Sequence, residues 1–186
     1  MDTSRIPRPP VVVRDADAKT LLTVYLQDHH AGSVGGLELA KRCAKSNPEE
    51  PLGGFLRAFI AGLQISQDML EKVMAHHDIV PSPVKSPMAL VAERVGRVKL
   101  NGQLVGYSPL SRLVELEALS AGVETQHNLW RTLRALPAGS LPPDVDADER
   151  VARTQKQREE LEEHRAAAAR IAFGSLGAST PAGSSG

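Results

Sequence analysis

The chain has 186 residues, with 22 basic and 22 acidic side chains, one cysteine and 3% aromatic residues. That length suits one domain with tails; balanced charge argues against a general nucleic-acid or anionic-membrane binder, and a lone cysteine excludes an internal disulfide framework. No run approaches the about 18 apolar residues that span a bilayer, and Pro7, Pro9 and Pro10 stand where a secretory signal would have its apolar stretch, so the expectation is a cytoplasmic protein with no membrane or nucleic-acid partner.

Leucine and alanine supply 22 and 23 residues while β-branched and aromatic residues are sparse, which is a helical composition. Residues 1–14 are proline-rich without a period and read as a disordered tail. A first helix is predicted from Asp15–Asp17, where carboxylates suit a helix N-terminus, to the stop at Asn47–Pro48. Within it Ala18, Leu22, Tyr25, His29, Gly32, Gly36, Leu39 and Cys43 alternate spacings of four and three, the seam of a helix facing a partner. A second helix, about Leu52 to Asp78, repeats the pattern in Leu52, Leu56, Phe59, Leu63, Ser66, Leu70, Val73 and His77. The link Asn47–Pro51 is short enough to make the two an antiparallel hairpin.

Residues 79–107 break the period. Pro81, Pro83 and Pro87 open the segment, a short helix is expected over Pro87 to Arg97, and Asn101-Gly102 marks a tight turn. The segment is long enough to carry the chain from one end of a bundle to the other. A third helix begins with Ser108 as cap and Pro109 at its first position, and continues through Leu110, Leu113, Leu116, Leu119, Val123, Trp130 and Leu133, with Gly122 the place for a bend. After the polar link Pro137–Asp144, a fourth helix runs from about Asp146 to Phe173 on a thin stripe of Val151, Leu161, Ala168 and Ile171, which makes it the least securely packed. Residues 174–186 are Gly, Ser, Ala, Thr and Pro with one Leu and read as a second tail. The expected fold is all-α: a helical domain over 15–173, built as a ferritin-like four-helix bundle of two hairpins joined by the crossover 79–107.

Three glycines lie within Ala31–Gly36, where each costs a helix about 0.5–1 kcal/mol against alanine. Two explanations stay open: close approach of two backbones at Gly32 and Gly36, or room left for a ligand or metal. In an antiparallel hairpin, His29 falls level with Leu70 and Asp28 with Glu71. Asp28, His29, Asp68 and Glu71 then converge in mid-bundle, with Glu115 or Glu117 approaching from the third helix. Carboxylates with imidazole suit iron or manganese, and equally a buried hydrogen-bonded network. A di-iron bundle needs Glu-x-x-His on two helices, whereas only Glu124/His127 fits here. Asp28, His29, Asp68, Glu71 and Glu117 are therefore metal candidates, with a polar network the preferred reading and no cofactor expected. No phosphate loop follows Gly35-Gly36 or Gly53-Gly54, Cys43 reads as a buried thiol, and His76-His77 suits a helix C-terminus.

Tyr25-Leu26-Gln27-Asp28-His29-His30-Ala31-Gly32, Gly36-Leu37-Glu38-Leu39-Ala40, Lys99-Leu100-Asn101-Gly102 and Ser108-Pro109-Leu110-Ser111-Arg112 together resemble a family of small, uncharacterised actinobacterial proteins described as ferritin-like. Glu115-Leu116-Glu117, Gly122-Val123-Glu124 and Leu129-Trp130 extend the likeness, which covers about residues 17–170. It implies the bundle fold and a bacterial cytoplasmic setting, and it places any site at Asp28, His29, Glu38, Asp68 and Glu117. It brings no activity.

No catalytic residue is assigned. The leading expectation is a non-enzymatic bundle acting through protein contacts, as a homodimer or with another protein, using the fourth helix and the Ala166–Ala169 run as its surface. The alternative is a ferritin-like protein that binds a metal or small ligand, with oxidase chemistry open to it. Phe173-Gly174-Ser175-Leu176-Gly177 also resembles the short peptides by which ferritin-like cargo enters encapsulin shells.

Overall fold

A computed structural model describes residues 17–82 and 106–177. They form four helices, α1 (Ala18–Ser46), α2 (Leu52–His76), α3 (Pro109–Arg134) and α4 (Ala147–Phe173), and a 3-10 turn, Gly174–Gly177, that continues from α4. The expected short helix over 87–97, the turn at Asn101-Gly102, and the tail residues 1–14 and 178–186 lie outside the described residues. No described helix is long and apolar enough to cross a membrane.

Local chemistry sets the helix starts. Asp17, Ser108 and Asp146 each accept a hydrogen bond from the backbone N–H three residues on, at 2.7, 3.1 and 3.0 Å, satisfying donors that the first turn leaves free. Pro51 has no side chain to do this for α2. There the Gly53 N–H bonds the Glu49 carbonyl at 2.7 Å and the Gly54 N–H bonds the Glu50 carboxylate at 3.1 Å. Gly122 introduces no break, and α3 runs unbroken from Pro109 to Arg134.

Pairings between helices give their directions. His30 meets Glu71 and Gln27 meets the Val80 carbonyl, so α1 and α2 are antiparallel. Arg42 meets Glu115 and Asn47 meets Arg112, making α1 and α3 antiparallel as well. It follows that α2 and α3 run parallel, meeting across the bundle where Trp130 donates to Ser66 at 2.9 Å. The end of α2 sits beside the α3–α4 link, with His76 and His77 donating to the carbonyls of Gly139 and Ser140. The start of α3 sits beside the α1–α2 link, where Asn47 meets Tyr107. The two ends of the 79–107 connection are therefore at opposite ends of the bundle, as an end-to-end crossover requires.

The core has two parts. One, toward the Asn47 end, is built on Leu39, Cys43, Leu56, Phe59, Leu113, Leu116 and Leu161; the other, toward the His77 end, on Leu26, Leu70, Val73, Met74, Trp130 and Leu133. Between them lies a waist where the small and polar residues Gly32, Ser33, Gly36, Ser66, Gly122 and Thr125 interrupt the apolar packing.

Three expectations need correction. The first half of α1 is turned about one position from the predicted seam: Leu26 and His30 are buried while Tyr25, His29 and Gly36 are half-buried and Gly32 is exposed. α4 is not loosely held, since it packs along the length of α3, with Glu117 to Arg165, Glu124 to Arg158 and Arg134 to Asp148 spanning the pair. Its stripe includes buried Arg150 and Thr154, and Ile171 is exposed. Finally, Ala168 is buried and Ala169 packs on the core part toward the Asn47 end, so the alanine run lets α4 approach its neighbours instead of presenting a free face.

Candidate functional site

A cavity of about 360 Å³ opens at the waist between α1, α2 and α3. Phe59, Leu63 and Leu70 of α2 and Leu119 and Leu129 of α3 form its apolar walls. Gly32 and Gly36 line the α1 side and Gly122 the α3 side. A β-carbon added at any of these three glycines would meet no atom within 4 Å. The expectation that backbones approach closely at Gly32 and Gly36 is thus overturned; their missing side chains face open space. Close backbone approach occurs elsewhere, at Gly53, where a β-carbon would run into the Pro48 carbonyl; at Gly62 a β-carbon would meet only the side-chain amide of Gln157.

Few polar groups reach the cavity, and most are already engaged. Ser66 accepts the Trp130 indole N–H, while Ser33 and Thr125 donate back to the carbonyls of His30 and Ala121 at 2.8 and 2.9 Å. Gln126 differs: its Oε1 is buried and has no partner. Asp28 and His29 stand at the α1 edge. The His29 ring packs edge-on against Tyr25 at 4.4 Å, and burial holds its pKa below the ordinary histidine value, partly offset by Asp28.

The five metal candidates do not share one site. Asp28 and His29 line the cavity, Asp68 is exposed, Glu71 bonds His30 at 3.0 Å, and Glu117 pairs with Arg165 at 3.9 Å. His30, which sequence reasoning passed over for its neighbour, is the buried histidine, and its bond holds the Glu71 carboxyl below the usual range. Glu124 and His127 are both turned to α4, the first to Arg158 and the second to Thr154 at 2.9 Å. The Thr154 hydroxyl points its proton at the backbone carbonyls of Arg150 and Val151, so it accepts from His127 Nδ1–H and the Nδ1-protonated tautomer is selected. Burial and the nearby Arg158 lower the His127 pKa, favouring the neutral ring. Among the described residues, no three His, Cys, Asp or Glu side chains gather closely enough to hold a metal ion. The described residues do not assemble the carboxylate–histidine set that a di-iron bundle uses.

A second polar cluster joins the α1–α2 link to α3. Asn47 donates to the Cys43 carbonyl at 2.8 Å and to Tyr107 Oη at 2.6 Å, and accepts from Arg112 Nε at 2.6 Å. Tyr107 donates to Glu115 at 3.0 Å, and the nearly fully buried Glu115 also receives Arg42 Nε at 3.2 Å. Burial, with the adjacent Glu115 charge, pushes the Cys43 thiol up to about 12. A thiol held protonated in this way is not a nucleophile.

Compared with known proteins, the chain matches no family model, no curated protein and no solved structure.

Proposed function

We propose that this protein is a ferritin-like helical bundle that binds a small, uncharged, mainly apolar molecule at its waist. The cavity carries the proposal. Three glycines, on two helices, leave open space beside apolar walls at the level where bundles hold their ligands. Each helical glycine is a cost that packing does not recover here, and a ligand would recover it. The parallel α2 and α3 support the ferritin-like order of helices, as does the resemblance to the actinobacterial family. The candidate donors point to different places and offer iron or manganese no joint site among the described residues.

The test is a titration with 2-methoxynaphthalene, a neutral probe of fitting size, followed by its fluorescence. Saturable binding at one site per chain is expected, lost in Gly36→Leu, whose added side chain has space to enter the cavity. Gly36→Leu should keep its helical circular dichroism. No saturable binding, or binding unchanged by Gly36→Leu, defeats the proposal.

A second reading, a bundle acting through protein contacts, rests on Leu21 and Val24, which lie three apart on one side of α1 and are 59% and 54% exposed. A monomer by sedimentation, unchanged by Leu21→Glu, would remove the homodimer form of it.

A further inference from the structure

The waist cavity is polar along one edge and apolar on its walls, and this asymmetry sets which way round a ligand enters. We infer that the cavity selects apolar compounds bearing a neutral hydroxyl, bound with the hydroxyl outward at the α1 edge, where it bonds the His29 imidazole. This rests on the proposed ligand-binding function and deepens it to the ligand's polar group and its orientation.

The walls from α2 and α3 are apolar at Phe59, Leu63, Leu70, Leu119 and Leu129, whereas Asp28 and His29 line the α1 edge. His29 is half-buried, and packing against Tyr25 at 4.4 Å orients its ring. Among the described residues its ring nitrogens have no hydrogen-bond partner, yet neither belongs to the buried atoms left without one, so both keep accessible surface. The hydroxyls on the lining are engaged: Ser33 and Thr125 donate to backbone carbonyls, and Ser66 receives Trp130. Burial keeps the imidazole below its ordinary pKa, so near pH 7 the ring is neutral, with one nitrogen that donates and one that accepts. A hydroxyl also donates and accepts, so either nitrogen can serve it, and its strongest bond is to the basic bare nitrogen. An aryl ether cannot donate, and its oxygen lone pair is drawn into its own ring, which makes it a poor acceptor. A carboxylate would meet Asp28, the one charged side chain on the described lining, with no cation to compensate it. An ammonium would gain little from Asp28, which is exposed to solvent.

The experiment titrates three fluorescent probes of similar size at pH 7: 2-naphthol, 2-methoxynaphthalene and 2-naphthoate. The native protein should bind 2-naphthol about fivefold more tightly than 2-methoxynaphthalene, the usual worth of one net hydrogen bond. It should bind 2-naphthoate more weakly than either. In His29→Phe, which keeps a ring against Tyr25, the preference for the hydroxyl should vanish. Equal affinities of 2-naphthol and 2-methoxynaphthalene in the native protein overturn the hydroxyl inference and leave the cavity standing as a binding site. Failure of all three probes to bind overturns the function itself. The native comparison needs no variant, so it stands even if His29→Phe does not fold. A preference that persists undiminished in a folded His29→Phe defeats the assignment to His29, and tightest binding of 2-naphthoate defeats the account of the α1 edge.

Discussion

Gly36 and Gly53 are both helical glycines, and their surroundings are opposite. A β-carbon at Gly36 meets nothing within 4 Å, while one at Gly53 collides with the Pro48 backbone, which has no flexible end to move aside. Gly36→Ala should therefore stabilise the fold by about 0.5–1 kcal/mol through helix propensity, and Gly53→Ala should destabilise it by about 1–3 kcal/mol through overpacking. Urea denaturation of the two variants beside the native chain reads both signs. A destabilising Gly36→Ala would mean that α1 and its neighbours touch where the structure leaves a gap. The histidine pair shows the same limit of sequence reading. Ala31–Gly36 contains Val34 as its one large apolar side chain, so little in that run pins the rotation of the helix between Leu26 and Leu39. A slip of one residue moved the burial from His29 to His30. His30→Ala, which removes the bond to Glu71, should lower stability by about 1 kcal/mol and more than His29→Ala does.

At the level of elements, the helix ends and hairpins were legible because their signals are local. Ser108-Pro109 and the acidic start of the fourth helix cap as their chemistry requires, and the seam of α2 holds at Leu56, Phe59, Ser66, Leu70 and Val73, all buried. The link residues were less so. Asn47 reads as a stop signal, yet it is buried and ties three segments together through Cys43, Tyr107 and Arg112. Partners 60 and 65 positions away leave no mark in the local pattern. Gln126 was missed for a related reason, since a polar residue on an apolar stripe is conspicuous only once the stripe's phase is known. Asn47→Ala removes the acceptor of Arg112 Nε and one of the two partners of the Tyr107 hydroxyl, and should cost about 1–3 kcal/mol. Glu49→Ala, an exposed neighbour in the same link, should stay within about 0.5 kcal/mol, so comparing their denaturation midpoints separates the network from the loop.

Across the whole molecule, the cores at the two ends leave a waist that combines the cavity with neutral-leaning histidines, and this predicts how stability depends on pH. His29 and His127 both have pKa values below the ordinary 6.5, chiefly from burial. The unfolded chain therefore takes up protons at a higher pH than the folded one. Their contribution is fully present above 6.5 and is lost as pH falls through 6.5 toward the folded values. Glu71 follows at lower pH: held down mainly by His30, its contribution is present above 4.5 and lost below that as its folded pKa is crossed. All three act in the same direction, so denaturation midpoints should fall from pH 7 to pH 5 and again toward pH 4. His127→Gln keeps a donor for Thr154 without a titrating ring and should flatten the first step while leaving the second. A midpoint that holds constant or rises between pH 7 and pH 5 would show that burial does not disfavour the protonated ring of these two histidines.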